Sequence, residues 1–255
     1  MSMKSLKEII RNRPIAILLH GSSIETLENR IIEFKDLDFC YVSINYFKVI
    51  ESRILSKINK KLDLVYCSNY KEFINRKEDI EEFVNRENTK LLTTFECLWQ
   101  TENEDFVNKY FDKIHVCKMI VYENDIYPNS LTVLLYNLIR EGFYKIILFG
   151  CDGLLDKEED NIDKISNTYF GKEQLKREER DWNLINDTKN FNRYFREALW
   201  RKLKEKKYSP KLNIVNCSPN SYIKVFNIIT YDRVKQWYAE NQNNTLQVVK
   251  AKYYE

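Results

Sequence analysis

The sequence predicts an α/β fold: a doubly wound, mostly parallel, Rossmann-like sheet with helices on both faces and a long lid insertion. Three observations carry that expectation. Short β-branched apolar runs alternate with helical patterns along most of the chain. The runs are continuously apolar, as strands covered on both faces must be. The first of them, Ile15-Ala16-Ile17-Leu18-Leu19, breaks into His20-Gly21-Ser22-Ser23 before a helical pattern opens at Ile24. That order is strand, tight turn, helix.

The elements follow from the pattern in turn. A leading helix over 6–11 precedes the strand over 15–19. The helix over 24–34 leads to a strand over 39–44 that ends in Asn45. A helix over 49–58 precedes a strand over 62–67, closed by Ser68-Asn69. Alternating charges mark the solvated face of a helix over 71–85. A strand over 90–94, a helix near 104–110 and a strand over 114–122 come next. Ser130 opens an amphipathic helix over 131–140, and Gly142 follows it where a C-cap glycine belongs. A strand over 145–149 runs into Gly150-Cys151-Asp152-Gly153. A helix over 189–206, a strand over 212–216 and a helix over 232–240 complete the regular units. The charge-dense stretch 154–188 carries Tyr169, Phe170 and Trp182 and reads as the lid. The tail run Leu246-Gln247-Val248-Val249-Lys250 reads either as a short edge strand or as an interaction tail. The whole chain, 1–255, is expected to form one domain around one core.

Charge narrows the function classes. Lys and Arg total 41 against 38 Asp and Glu, a net +3, so a protein that coats nucleic acid is not expected. No apolar run approaches the ~20 residues of a membrane span, and the first residues lack the apolar block of a signal peptide. The six cysteines are widely spaced with no CxxC pair, which reads as free thiols in a reducing cytoplasm. A peripheral membrane contact through Arg201-Lys202-Leu203-Lys204 stays open beside the plainer solvated-face reading. So does the oligomeric state.

In a doubly wound sheet, ligands sit beyond the carboxyl ends of the strands. Asn45, Ser68, Asn69, Asp152 and Asn216 are placed there. Gly21 is one of only five glycines, and a glycine turn followed by a helix start forms an anion site. Ser22 and Glu25 have capping-box spacing. Asp152 reads equally as a ligand-orienting carboxylate and as a turn residue steadying the Gly150–Gly153 bend.

Three segments carry a resemblance: 17–23, 130–153 and 212–223. Their content and order resemble the bacterial lipooligosaccharide sialyltransferase family and its relatives, the archaeal-type 6-hydroxymethylpterin pyrophosphokinases and the flagellar motility accessory factors. The family's Asn-Gly-Pro-Ser loop reads here His20-Gly21-Ser22-Ser23, which keeps the glycine and the last serine and loses Asn and Pro. Its Ser-led helix, glycine and Gly-x-Asp strand end appear as Ser130, Gly142 and Gly150-Cys151-Asp152. Its Cys-Pro-Asn-Ser stretch resembles Cys217-Ser218-Pro219-Asn220-Ser221. The resemblance implies a nucleotide site formed by Gly21, Ser22, Ser23, Asn45, Ser68, Asn69, Ser130, Gly150 and Asp152. Asp152 and Tyr169 are the catalytic candidates. The family's lid histidine has no counterpart, since His20 and His115 are the two histidines of the chain.

The favoured expectation is therefore a glycosyltransferase that takes a nucleotide-sugar donor and an unassigned acceptor. One alternative is diphosphate transfer from ATP to a small alcohol, the one reading that calls for Mg²⁺. The other is a non-catalytic binding protein that retains the fold. No metal ligands are assigned.

Overall fold

The computed structural model describes residues 5–99, 103–119, 129–152, 212–223 and 225–242. It shows an α/β fold whose eight described strands form one parallel sheet. In chain order the elements are α1 (Leu6–Ile10), β1 (Ile15–Leu18), α2 (Ile24–Arg30), β2 (Cys40–Ile44), α3 (Phe47–Arg53) and β3 (Leu64–Cys67). Then come α4 (Tyr70–Asn75), α5 (Lys77–Val84), β4 (Lys90–Thr94), α6 (Phe95–Leu98), α7 (Glu104–Tyr110) and β5 (Ile114–Cys117). The rest are α8 (Ser130–Arg140), β6 (Lys145–Phe149), β7 (Asn213–Asn216), β8 (Asn227–Ile228) and α9 (Val234–Asn241). Short 3₁₀ turns extend α2 over Ile31–Phe34 and follow α3 over Leu55–Ile58.

The strand order is β5-β4-β3-β2-β1-β6-β7-β8. The chain steps outward from β1 to β5 and then returns to place β6 against the free side of β1. Strand residues alternate between two buried clusters. Ala16, Leu18, Tyr41, Val65, Ile147 and Phe149 lie in the first. Ile15, Ile17, Val42, Leu64, Ile146 and Leu148 lie in the second. Ile24 and Leu27 of α2, Ile50 of α3, Phe83 of α5 and Trp237 of α9 cover the first face. Leu6 and Ile10 of α1 and Leu134, Leu135 and Leu138 of α8 cover the second. Right-handed crossovers require this division, because reversing the direction of travel across the sheet moves the connecting helix to the opposite face.

Helix α8 is buried around most of its circumference. Its amino end is capped by Asn129, whose Oδ1 accepts from Thr132 N–H at 2.9 Å. The expected cap Ser130 is therefore the first helical residue, and its hydroxyl is left for other work. The glycine stop holds: Gly142 has φ 95°, and Phe143 N–H bonds Leu138 O at 2.9 Å. Other boundaries moved. The expected helix over 71–85 divides at Arg76, which leaves helical geometry at φ −118° and ψ 15°. The strand expected over 114–122 is assigned over Ile114–Cys117. Strand β8 and helix α6 were not anticipated, being two and four residues long.

All six cysteines are free and buried, as expected. Burial raises the thiols of Cys40, Cys67, Cys117, Cys151 and Cys217, those of Cys117 and Cys217 to about 12. Such thiols are inert at neutral pH.

His115 on β5 has a buried Nε2 without a hydrogen-bond partner. Burial, the largest influence, holds its imidazole below the usual range. The native state therefore prefers the neutral ring, and its contribution to stability is fully present above the unfolded value of about 6.5. It is lost as pH falls below that value and on through the folded one. Urea unfolding at pH 7.5 and pH 5.5 should show a smaller acid-induced loss in His115→Leu than in the wild type. Equal losses in the two proteins would show that the acid sensitivity arises elsewhere.

Candidate functional site

Strand β1 and strand β6 are neighbours where the order reverses, and their carboxyl-end loops meet there. Gly21 N–H bonds Gly150 O at 3.0 Å, and Leu19 N–H bonds Phe149 O at 2.9 Å. A Cβ at Gly21 would lie 2.5 Å from Gly150 O and 2.6 Å from Asp152 Oδ2. Close approach, rather than a left-handed backbone, makes position 21 a glycine. Gly150 is constrained twice over, by φ +71° and by Leu19 O, 2.9 Å from where its Cβ would stand.

Asp152 closes this junction. Ser23 N–H donates to Asp152 Oδ2 at 2.7 Å, and Ser22 Oγ donates to the same oxygen at 3.2 Å. Ser23 Oγ bonds Oδ1 and also lies 2.8 Å from Ser218 Oγ. The expected capping box of Ser22 and Glu25 is not formed. Ser23 occupies the cap position without a side-chain cap bond, because both serine hydroxyls turn to Asp152. The carboxylate thus does at the start of α2 what a bound anion would do.

The β7 loop completes the network. Asn216 Nδ2 donates to Cys151 O at 2.9 Å, and Ser221 Oγ donates to it at 2.6 Å. Cys151 N–H donates to Ser218 Oγ at 3.0 Å, and Tyr222 N–H to Asp152 O at 2.7 Å. The ends of β1, β6 and β7 are tied into one satisfied floor. The sequence had singled out Asn216, but Ser218 and Ser221 were noticed only as parts of a motif.

A second group lies across the ends of β2 and β3. Ser68 Oγ and Ser130 Oγ are 3.0 Å apart, which brings the end of β3 to the first residue of α8. Strand β4 holds the end of β3 in place: Thr93 Oγ1 donates to Cys67 O at 2.6 Å and Thr94 Oγ1 to Ser68 O at 3.2 Å. Tyr66 is fully buried on the α8 side, and its Oη has no hydrogen-bond partner. Burial raises its phenol well above the usual range, while the nearby Ser68 hydroxyl counters the shift in part. Asn45 takes a left-handed backbone at φ 60°, and its Oδ1 is buried and unpartnered. Asn69, by contrast, is spent as the cap of α4, accepting from Glu72 N–H at 3.2 Å.

An aromatic contact lies beside these loops. The His20 ring lies 4.6 Å from the Tyr46 ring, and the Arg76 guanidinium lies over Tyr46 at 4.5 Å. Arg76 is held in turn by Glu72, Nε to Oε2 at 2.8 Å. Nothing in the periodicity of 71–85 signals that Arg76 leaves its helix for this contact.

The nine nucleotide-site candidates therefore fall into two sets. Gly21, Ser22, Ser23, Gly150 and Asp152 form the closed junction. Asn45, Ser68 and Ser130 lie at the edge of β2 and β3, with Asn69 beside them as a cap. Tyr169, the lid expected over 154–188, the helix expected over 189–206, Arg201–Lys204 and the tail 246–250 lie outside the described residues. Among the described residues, no group of three or more His, Cys, Asp or Glu side chains is placed to hold a metal ion, and no helix is long and apolar enough to cross a membrane. No protein-family model, curated protein or solved structure matches the chain.

Proposed function

We propose that the protein is a glycosyltransferase that binds a nucleotide-sugar donor at the carboxyl edge of its sheet and passes the sugar to an acceptor hydroxyl. The reversal of strand order beside β1 supports the doubly wound reading, in which that edge is the ligand edge. The observation that carries the proposal is the pair of unmet polar groups at the end of β2 and on β3. Asn45 Oδ1 and Tyr66 Oη are buried without partners beside the Ser68–Ser130 pair. Buried polar atoms are ordinarily satisfied, so orphans gathered at one edge favour a ligand that supplies the missing partners. A nucleoside and sugar offer hydroxyl and amino donors of that kind.

In this reading Asn45, Ser68 and Ser130 hold the donor. The junction of Gly21, Ser22, Ser23, Gly150 and Asp152 is the rigid floor. Diphosphate transfer is less favoured, because three hydrogen bonds from Ser22 and Ser23 already fall on Asp152, the leading Mg²⁺ candidate.

Thermal unfolding against cytidine, uridine, guanosine and adenosine nucleotides, each with and without Mg²⁺, tests the proposal. Ligand at a hundred times its Kd adds about 2.7 kcal/mol to the native state. A rise in Tm selective for a pyrimidine nucleotide is expected. A shift with ATP that requires Mg²⁺ would transfer the assignment to diphosphate transfer, and a flat panel would leave the binding-protein reading in its place.

A further inference from the structure

Transfer to a hydroxyl needs a group that takes the hydroxyl proton, and the floor carboxylate is already committed. We propose that His20 is that base. The inference rests on the sugar-transfer reading above.

Position is the first argument. The His20 ring lies 4.6 Å from that of Tyr46, the residue that follows Asn45 and its unpartnered Oδ1. His20 thus stands at the junction of the closed floor and the unsatisfied edge. Rigidity is the second. Its backbone is fixed on both sides, by Leu19 N–H to Phe149 O and by Gly21 N–H to Gly150 O. Its ring rests on Tyr46, which Arg76 and Glu72 hold in place from beyond. A base on a fixed backbone, braced by a tilted aromatic ring 4.6 Å away, is held as proton transfer requires. Chemistry is the third: imidazole changes charge near neutral pH, whereas His115, the other histidine, lies on the outer strand β5. Among the described residues, the titratable and charged groups about His20 include Tyr46 against its ring, Arg76 and Glu72 beyond Tyr46, and Asp152 across Gly21.

The step balances without a further reactant. The acceptor oxygen forms a bond to the anomeric carbon, and the bond from that carbon to the donor phosphate oxygen breaks. The electron pair of the broken bond leaves on the nucleotide. The acceptor proton passes to a ring nitrogen of His20, which later returns it to solvent.

The test uses the full chain, a panel of CMP- and UDP-linked sugars, and a panel of methyl glycosides and simple alcohols as acceptors. In His20→Gln the Tm shift with the preferred nucleotide should be retained, while transfer falls about 100-fold or more and the acid limb of the pH–rate profile disappears. A second readout needs no turnover. The ring-proton NMR signal missing from His20→Gln should move when CMP or UDP is added to the wild type. A variant with wild-type rate and pH profile would overturn the assignment of His20 alone, as would a His20 signal that ignores a nucleotide that raises Tm. An alkaline limb that vanishes instead would show that the imidazolium acts on the leaving phosphate. A wild-type protein whose Tm responds to no nucleotide would overturn the transfer reading and the role of His20 with it.

Discussion

Gly21→Ala should destabilise the protein by about 3 kcal/mol, read as a fall in the urea midpoint with the slope unchanged. The added Cβ would meet Gly150 O at 2.5 Å and Asp152 Oδ2 at 2.6 Å, both well inside contact distance. Neither neighbour yields cheaply. Gly150 O belongs to a backbone already fixed at φ +71° and crowded by Leu19 O. Asp152 is held by Ser22, Ser23 and, through its own carbonyl, Tyr222. Relief therefore means parting β1 from β6 at their carboxyl ends, with loss of the Gly21–Gly150 hydrogen bond. Gly21→Val should unfold the chain or leave it insoluble. A Gly21→Ala protein with the wild-type midpoint would show that the junction relaxes at little cost.

Asp152→Ala should cost about 2–3 kcal/mol. The carboxylate accepts from Ser23 N–H and from the hydroxyls of Ser22 and Ser23, and alanine would leave all three without that acceptor at the start of a helix. Asp152→Asn keeps one acceptor oxygen for Ser23 N–H, so roughly half the loss is expected. The same pair of variants separates a structural role from a catalytic one. In the reading advanced here, Asp152→Asn retains nucleotide affinity and loses stability. A variant of wild-type stability that no longer turns over would return Asp152 to the reaction.

The parallel α/β class was legible because it is written in local patterns. Apolar runs of four or five residues alternate with helical spacing, and Gly142 ends α8 as a glycine at that position should. The burial of the free cysteines follows from the same local signals. What the sequence concealed are partnerships across distance. Ser22 and Glu25 have the spacing of a capping box, yet Ser22 turns to a carboxylate far along the chain, and local spacing cannot register that competitor. Arg76 reads as one more charge on a solvated face, but its guanidinium lies on Tyr46. Ser130 reads as a cap until Asn129 takes the position and frees its hydroxyl for Ser68. At the candidate site, the strand-end rule found Asn45, Ser68 and Asp152. It gave no means of telling that Asp152 is satisfied while Asn45 Oδ1 is not, because that distinction depends on which loops fold together.

The strand order also sets a timetable for synthesis. From β1 to β5 each strand pairs with the one made just before it, so five of the eight described strands can assemble as the chain emerges. Strand β6, which seals the other side of β1, arrives more than a hundred residues later. At ribosomal speeds of about 5–20 residues per second, the bare flank of Ile15–Leu18 waits on the order of ten seconds for its neighbour. During that interval the most apolar and most central strand of the finished protein is an open edge, and another nascent chain can reach it before β6 does.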